Sequence, residues 1–413
     1  MDKTSFFSRE NVKMTTLNIH GGIPLGIEIM KNQAIGVNGA YCAWGESYNN
    51  QQLPALVSDR MHGNFPAEDV MNLDELGFLS RHHIPRLSEE ENKQVEYLVG
   101  THLIEAALEA NGWNAQEVDA VLIGTSGPVS ADFLLTICQN AGIRADAIKV
   151  DVHKACDGSM GALQLVLNES LGDTGKHNLA KELFGKKVLV GGIEGLSRFT
   201  CESMDKNALQ LFANGAGIFG LIPGKSMKFL AGRSTEIFDE EGLLQVRMYY
   251  PHSRKAGATG SLVEVTEQDG NHLRLAGMMH EPSEDKPILM AGLMGMVKLF
   301  VRNGVVAVTE VFNEYTDLMK KTGHPERKID LGIVHHANFK INQLKAKHLA
   351  KEGIHYPMPW TLNDFGNVSA ASCAIAFLRQ LQNIKPGDHI LFDGFGAGSY
   401  YDVIVAEMAP QLA

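Results

Sequence analysis

The chain has 413 residues, 44% hydrophobic and 21% charged, enough apolar material for a large buried core and too little polarity for a disordered chain. A formal net charge of −11 without any long basic run excludes a general nucleic-acid binder. MDKTSFFSRENVKMTTLNIH has no continuous apolar stretch, and no later segment reaches the length needed to span a bilayer, so a cytoplasmic protein without membrane contact is expected.

Residues 1–34 lack strong periodicity and read as an N-terminal extension with one strand at Met14–Ile19. The regular fold begins with the glycine-containing apolar run Ala34–Cys42. Glu46–Glu91 is polar, contains proline and is weakly patterned, as expected of a long, partly helical connection on the side of the site. Val95, Leu98, Val99, Leu103, Ala106, Ala107 and Ala110 then follow helical spacing up to Asn111-Gly112.

The remaining chain reads twice in the same order. After the helix at 95–110 come strands Asp119–Thr125 and Ile148–Val152, a helix from Cys156, and strand Lys187–Glu194. After a helix at 293–320 come strands Asp330–His336 and Met358–Leu362, a helix from Asn367, and strand His389–Gly396. Gly124 precedes Cys156 by as many positions as His335 precedes Asn367. Strands rich in Val and Ile alternating with helices predict an α/β protein with buried sheets covered by helices, built as halves over 35–223 and 224–413.

Five cysteines, odd in number, scattered and without CxxC, argue against a disulfide framework or a thiolate zinc site. Cys156, in DVHKACDGSMGALQLVL, lies past a strand at the start of an apolar helix, where free N–H groups and the positive end of the macrodipole favour thiolate. Cys42, Cys138, Cys201 and Cys373 read as buried small apolar residues. His335 and His336 in DLGIVHHANFKINQLKAKHL are strand neighbours that point to opposite faces, so one of them can face Cys156. Taken alone, Gly366-Asn367 is a helix-capping turn. Gly394, Gly396 and Gly398 permit tight backbone geometry near a ligand.

These segments resemble β-ketoacyl-ACP synthase III, the initiating condensing enzyme of bacterial fatty-acid synthesis. DVHKACDGSMGAL is similar to its D-V-x-x-A-C-x-G, IVHHANFKI to V-P-H-Q-A-N-x-R-I, DFGNVSAAS to G-N-T-S-A-A-S, and FANGAGIFG (Phe212–Gly220) to F-G-D-G-A-G. The resemblance runs roughly from Gln33 to Met408 and includes Met290–Gly292 before the long helix. It implies a thiolase fold with a duplicated five-layered αβαβα architecture. It further implies Cys156 as nucleophile, His335 and Asn367 as its catalytic partners, and the N–H groups of Cys156 and Ala397 as an oxyanion hole. Asn338 and Lys340 fall on substrate- or carrier-binding positions, Arg198 on an arginine near the CoA nucleotide, and Phe133 on a residue closing the acyl pocket across a homodimer interface. The departures are Asp157, His336 in place of Gln, Val368 in place of Thr, and Ala397 in the glycine loop. A carboxylate facing a thiolate raises its pKa, so Asp157 is expected to point outward or to be hydrogen-bonded.

The implied reaction is a Claisen condensation of a Cys-bound acyl group with a malonyl- or β-ketoacyl-thioester, decarboxylative in the malonyl case. Acyl carrier protein or CoA would carry the acyl groups, with no metal or other cofactor. The N-terminal segment, Glu46–Glu91 and an insertion around Leu171–Phe184 lean toward specialised, polyketide-type metabolism rather than primary fatty-acid synthesis. Alternatives are a type III polyketide synthase-like enzyme, which shares the Cys-His-Asn set, a Cys-His acyltransferase or thioesterase, which would not need Asn367, and a non-catalytic heterodimer partner.

Overall fold

The computed structural model describes residues 15–174, 177–202, 205–236, 265–269, 271–275, 293–397 and 400–410. β1 (Thr15–Ile19) and β2 (Ile23–Asn32) pair antiparallel, and β2 continues the ladder to β3 (Val37–Trp44). Within the segment expected to be an extension with one strand, residues 15–32 therefore form the edge of the main sheet, with Ile23, Leu25 and Ile27 of β2 buried. β4 (Glu46–Asn49), α1 (Leu53–Arg60) and β5 (Ser80–His83) make up the long connection. It folds onto the turn-rich side of the second half, where Leu53, Val57, Phe78, Phe339 and Trp360 share one apolar cluster.

α2 (Glu89–Asn111) starts earlier than its apolar spacing suggests because Ser88 and Glu91 form a reciprocal capping box. Gly112, at φ 63°, ends it in the left-handed conformation. β6 (Ala120–Gly124), α3 (Phe133–Asn140), β7 (Ile148–Val152), α4 (Gly158–Leu167), α5 (Leu179–Glu182), β8 (Val188–Gly195), α6 (Leu196–Glu202), α7 (Lys206–Leu211) and β9 (Asn214–Leu221) complete the first half. The second half contains β10 (Met227–Glu236), β11 (Val265–Asp269), β12 (His272–Leu275), α8 (Leu293–Lys321), β13 (Leu331–Val334), α9 (Phe339–Lys351), α10 (Ser372–Gln380), β14 (His389–Gly396) and β15 (Tyr400–Met408).

The nine-stranded sheet has the order β1-β2-β3-β9-β8-β6-β7-β12-β11, and the four-stranded sheet β10-β15-β14-β13. Strand directions show the duplication. β3–β9 and β9–β8 are antiparallel and β8–β6 parallel, while β10–β15 and β15–β14 are antiparallel and β14–β13 parallel. Two differences from the expected halves stand out. β12, from the second half of the chain, extends the first sheet by pairing parallel to β7. The strand expected at Met358–Leu362 is irregular, although the Gly332 N–H still donates to Pro357 O at 2.8 Å. Pro357 and Pro359 lack the donors that a continuous ladder needs.

α2 and α3 cover the outer face of the first sheet, α8 and α9 that of the second, and α4 and α10 lie between the sheets. Every residue of α4 is buried. Each of its Leu, Met and Val side chains contributes roughly 1.5–3 kcal/mol of transfer free energy. Residues from both halves, among them Leu163, Val190, Ile375, Phe377 and Phe392, form one central core.

A 3-10 turn precedes each central helix, Ala155–Asp157 before α4 and Ser369–Ala371 before α10. Both turns open on a non-glycine residue at positive φ, Ala155 at 48° and Ser369 at 43°. The matched spacing in the sequence thus does not mark equivalent positions: Cys156 corresponds to Ala370, and Asn367 lies just ahead of its turn.

Candidate active site

Cys156 is half-buried in the turn that leads into α4. Ser369 Oγ donates to its Sγ at 3.2 Å. The backbone N–H of Ala397, just past β14, is directed at the same sulfur. Gly396 makes this approach possible, because a Cβ there would lie 2.9 Å from the Cys156 amide nitrogen. Burial pushes the thiol up to about 12; Ser369 and Ala397 pull it down, while Glu194 and Asp157 push it further up. Cys156 precedes the first turn of α4, and its burial opposes the thiolate that a helix start favours.

A line of polar groups runs away from the sulfur. Ser369 Oγ lies 2.6 Å from Ser126 Oγ, and Ser126 donates from both Oγ and N to Glu194 Oε1 at 2.7 and 2.8 Å. The Ala370 N–H reaches the same oxygen at 3.1 Å. Glu194 is fully buried on β8, and burial pushes it up to about 7 against the bonds from Ser126 and Ala370. Sequence reasoning missed Ser369, Ser126 and Glu194. The available signals were a serine inside GNVSAAS and a carboxylate at the end of an otherwise apolar strand.

Asn367 Oδ1 accepts from the Ser369 N–H at 2.9 Å, which leaves the amide NH2 as the end free to donate to a ligand. Its backbone is fixed by Leu211 O at 2.8 Å and the Ala213 N–H at 3.1 Å. Ser369 therefore links the Asn367 loop of the second half to the cysteine of the first.

The two histidines are now distinguishable. His336 lies between Val334 O, 2.7 Å from Nδ1, and the Thr361 N–H, 2.9 Å from Nε2, with its ring 4.3 Å from that of Trp360. Both ring nitrogens are occupied by backbone, so His336 is part of the scaffold. The His335 ring packs edge-on to Phe395 at 4.9 Å, beside the Gly396–Ala397 turn, and its buried Nδ1 finds no hydrogen-bond partner among the described residues. Burial, His336 and Lys345 push His335 down to about 3, so it is a neutral imidazole at pH 7.

Asp157 does not point outward. It is fully buried, facing Asp402, with Lys154 alongside. Burial and Asp402 hold its carboxyl well above the usual carboxylate range, with Lys154 pulling the other way. Lys154 pairs with Asp402 and donates to Ser234 Oγ at 2.8 Å.

The remaining predicted residues lie apart from this cluster. Phe133 opens α3, is 2% exposed and stacks on Tyr97 with ring centroids 6.1 Å apart. Arg198 bonds Glu96 at 2.9 Å and Gly127 O at 2.9 Å. Asn338 caps α9 by accepting from the Ile341 N–H at 2.9 Å. Lys340 is half-buried and pairs with Glu75. Cys42, Cys138 and Cys373 are buried and unpaired with one another, as expected of small apolar residues. Gly398, Met290–Gly292 and the side chain of Cys201 lie outside the described residues.

The profile of the 3-oxoacyl-(acyl-carrier-protein (ACP)) synthase III C-terminal family matches residues 319–408, which contain His335 and Asn367. A β-ketoacyl-(acyl-carrier-protein) synthase III of Syntrophomonas wolfei is 30% identical over 312 residues, covering 72% of this chain and 79% of that protein. The chain belongs to the β-ketoacyl-ACP synthase III family. The synthase III of Shewanella oneidensis is 29% identical over 296 residues, 71% of this chain and 78% of its own. Among solved structures, the synthase III of Aquifex aeolicus covers 96% of this chain and 100% of its own, with a TM-score of 0.55 at 19% identity. The 1,3,6,8-tetrahydroxynaphthalene synthase of Streptomyces coelicolor, a type III polyketide synthase, covers 90% and 98%, with a TM-score of 0.62 at 16% identity. The fold is the duplicated thiolase fold of these synthases, and this synthase III family member is a condensing acyltransferase. No described helix is long and apolar enough to cross a membrane.

Proposed function

We propose that this synthase III family member loads an acyl group from CoA or acyl carrier protein onto Cys156 and condenses it with a malonyl-type thioester. The observation that carries the reading is the Ser369 bridge, which holds the Asn367 loop against the Cys156 sulfur with the Ala397 N–H directed at the same atom. In the first step the cysteine sulfur attacks the thioester carbonyl, the Cys156 and Ala397 N–H groups hold the oxyanion, and the carrier thiol leaves. In the second, the neutral His335 imidazole and the Asn367 NH2 donate to the malonyl thioester carbonyl. Electrons of the breaking C–CO2 bond become the enolate, which attacks the acyl-cysteine and expels the Cys156 thiolate, and a proton from solvent restores the thiol.

The carrier enters by α9 in this reading. Asn338 fixes the start of that helix, and the half-buried Lys340 with the exposed Lys347 and Lys351 face an acidic carrier. Arg198 meets a CoA phosphate by exchanging its Glu96 partner, and Phe133 bounds the acyl pocket near a homodimer interface. The setting is cytoplasmic, no cofactor beyond the thioesters takes part, and the pathway is a specialised one. The tetrahydroxynaphthalene synthase likeness, at a TM-score of 0.62, favours a second reading in which several malonyl units are added in turn.

The products formed from a panel of acyl thioesters with malonyl-CoA and malonyl-ACP test the proposal. One β-ketoacyl product and one carbon dioxide per turnover support it, multiply extended products support the second reading, and turnover without a new carbon–carbon bond defeats both. Asn367→Ala should retain acyl loading while condensation falls about 10²–10³-fold, as for removal of an oxyanion donor.

A further inference from the structure

We propose that Glu194 accepts the Cys156 thiol proton through Ser369 and Ser126 when the sulfur attacks, and returns it by the same line to the departing carrier thiolate. This rests on the reading of Cys156 as nucleophile. The sulfur, two hydroxyls and a carboxylate oxygen lie in series at 3.2, 2.6 and 2.7 Å, each within hydrogen-bond reach of the next. The Ser126 and Ala370 N–H groups, at 2.8 and 3.1 Å, hold Oε1 at the end of that line.

The step balances. The Ser369 hydroxyl first turns from the sulfur to donate to Ser126 Oγ, a contact in which either oxygen can be the donor, and the thiol donates to Ser369 Oγ. The S–H proton then passes to Ser369 Oγ, the Ser369 proton to Ser126 Oγ, and the Ser126 proton to Glu194, leaving a thiolate that accepts from Ser369. The S–C bond then forms and the carrier C–S bond breaks. The leaving thiolate takes the Ser369 proton, which Ser126 and Glu194 replace in turn, so the carboxylate is restored.

Burial pushes the Cys156 thiol up, so its attack calls for a group that takes the proton. His335 is a poor one, being pushed down to about 3, whereas Glu194 is pushed up to about 7. Among the groups around β8, β6, β9 and α4 carry no titratable side chain. α2 presents Glu96 beside Gly195, bonded to Arg198 of α6, and α10 carries Cys373 and Arg379, the latter held by Asp364. Cys156 is the titratable group at the other end of the line. Glu194 touches no substrate and is a positioning residue acting through Ser126 and Ser369.

The rate at which iodoacetamide alkylates Cys156, followed by intact-protein mass with the site fixed by peptide mapping, tests this across about pH 5.5 to 9.5. The wild-type rate should pass through an inflection near 7, where Glu194 loses its proton. Glu194→Gln and Ser126→Ala should each abolish that inflection and slow alkylation at pH 8 about 100-fold, a typical acid–base contribution. The double variant should be no slower than either single one, because both break the same line. Charge alone predicts the opposite for Glu194→Gln, since the carboxylate raises the thiol pKa and its removal should speed alkylation. A rate for that variant equal to or above wild type, or a preserved inflection, overturns the proposal. If Glu194→Gln fails to fold, Ser126→Ala, which keeps the charge, decides by the same criteria. Absence of label on wild-type Cys156 would instead defeat the nucleophile reading on which the proposal stands.

Discussion

His336 stands where the family pattern has glutamine and uses its two ring nitrogens as a glutamine uses its amide, one against Val334 O and one against the Thr361 N–H. That arrangement requires a neutral ring. Burial pushes its pKa down to about 4, with Arg379 adding to the shift, against about 6.5 in an unfolded chain. The unfolded state therefore binds a proton first on acidification, and the stabilisation present above pH 6.5 is lost as the pH falls toward 4. Between pH 7 and 5 this linkage is worth about 2 kcal/mol. Urea unfolding at the two pH values should show wild type losing about 2 kcal/mol more than His336→Gln; parallel losses would contradict the assignment. At this scale Cys156, His335 and Asn367 were legible because each sits in a short local pattern. Ser126, Ser369 and Glu194 were not, since their contacts join segments far apart in the chain. The choice of His335 over His336 rested on family likeness, and the hydrogen bonds of the folded chain now give it a physical reason.

At the level of elements, periodicity located the strands closely: Ile148–Val152 and His389–Gly396 are strands with the expected ends. It failed where backbone chemistry overrides pattern. Pro357 and Pro359 break up the apolar segment expected as a strand, and the Ser88–Glu91 capping box extends α2 beyond its apolar face. The β2 strand escaped notice although Ile23, Leu25 and Ile27 alternate with half-buried Pro24 and Gly26, because proline and glycine are residues that strands usually exclude. β14 carries its own constraint at Gly394, where a Cβ would lie 1.9 Å from Asp157 Oδ1 and 2.6 Å from Met160 Cβ. Gly394→Ala should therefore cost about 1–3 kcal/mol in urea unfolding, as overpacking does. A variant within about 0.5 kcal/mol of wild type, the range of an ordinary surface change, would show that this strand and α4 can part without penalty.

For the molecule as a whole, the duplication explains why the site lies where it does. Each half supplies a sheet, an outer helical layer and one central helix, and the turns leading into α4 and α10 meet between the sheets. The nucleophile candidate comes from the first half and its two partners from the second, so neither half alone assembles the site. The order of elements revealed this pairing in the sequence, but the matched spacing from Gly124 and His335 did not, because α10 begins farther behind its strand than α4 does. The central claim is that Cys156 carries the acyl group. Incubation with an acyl-CoA, followed by intact-protein mass and peptide mapping, tests it most directly. The account predicts one acyl adduct per chain, located on Cys156 and absent from Cys156→Ser; an adduct that persists in that variant or maps to another residue would contradict it.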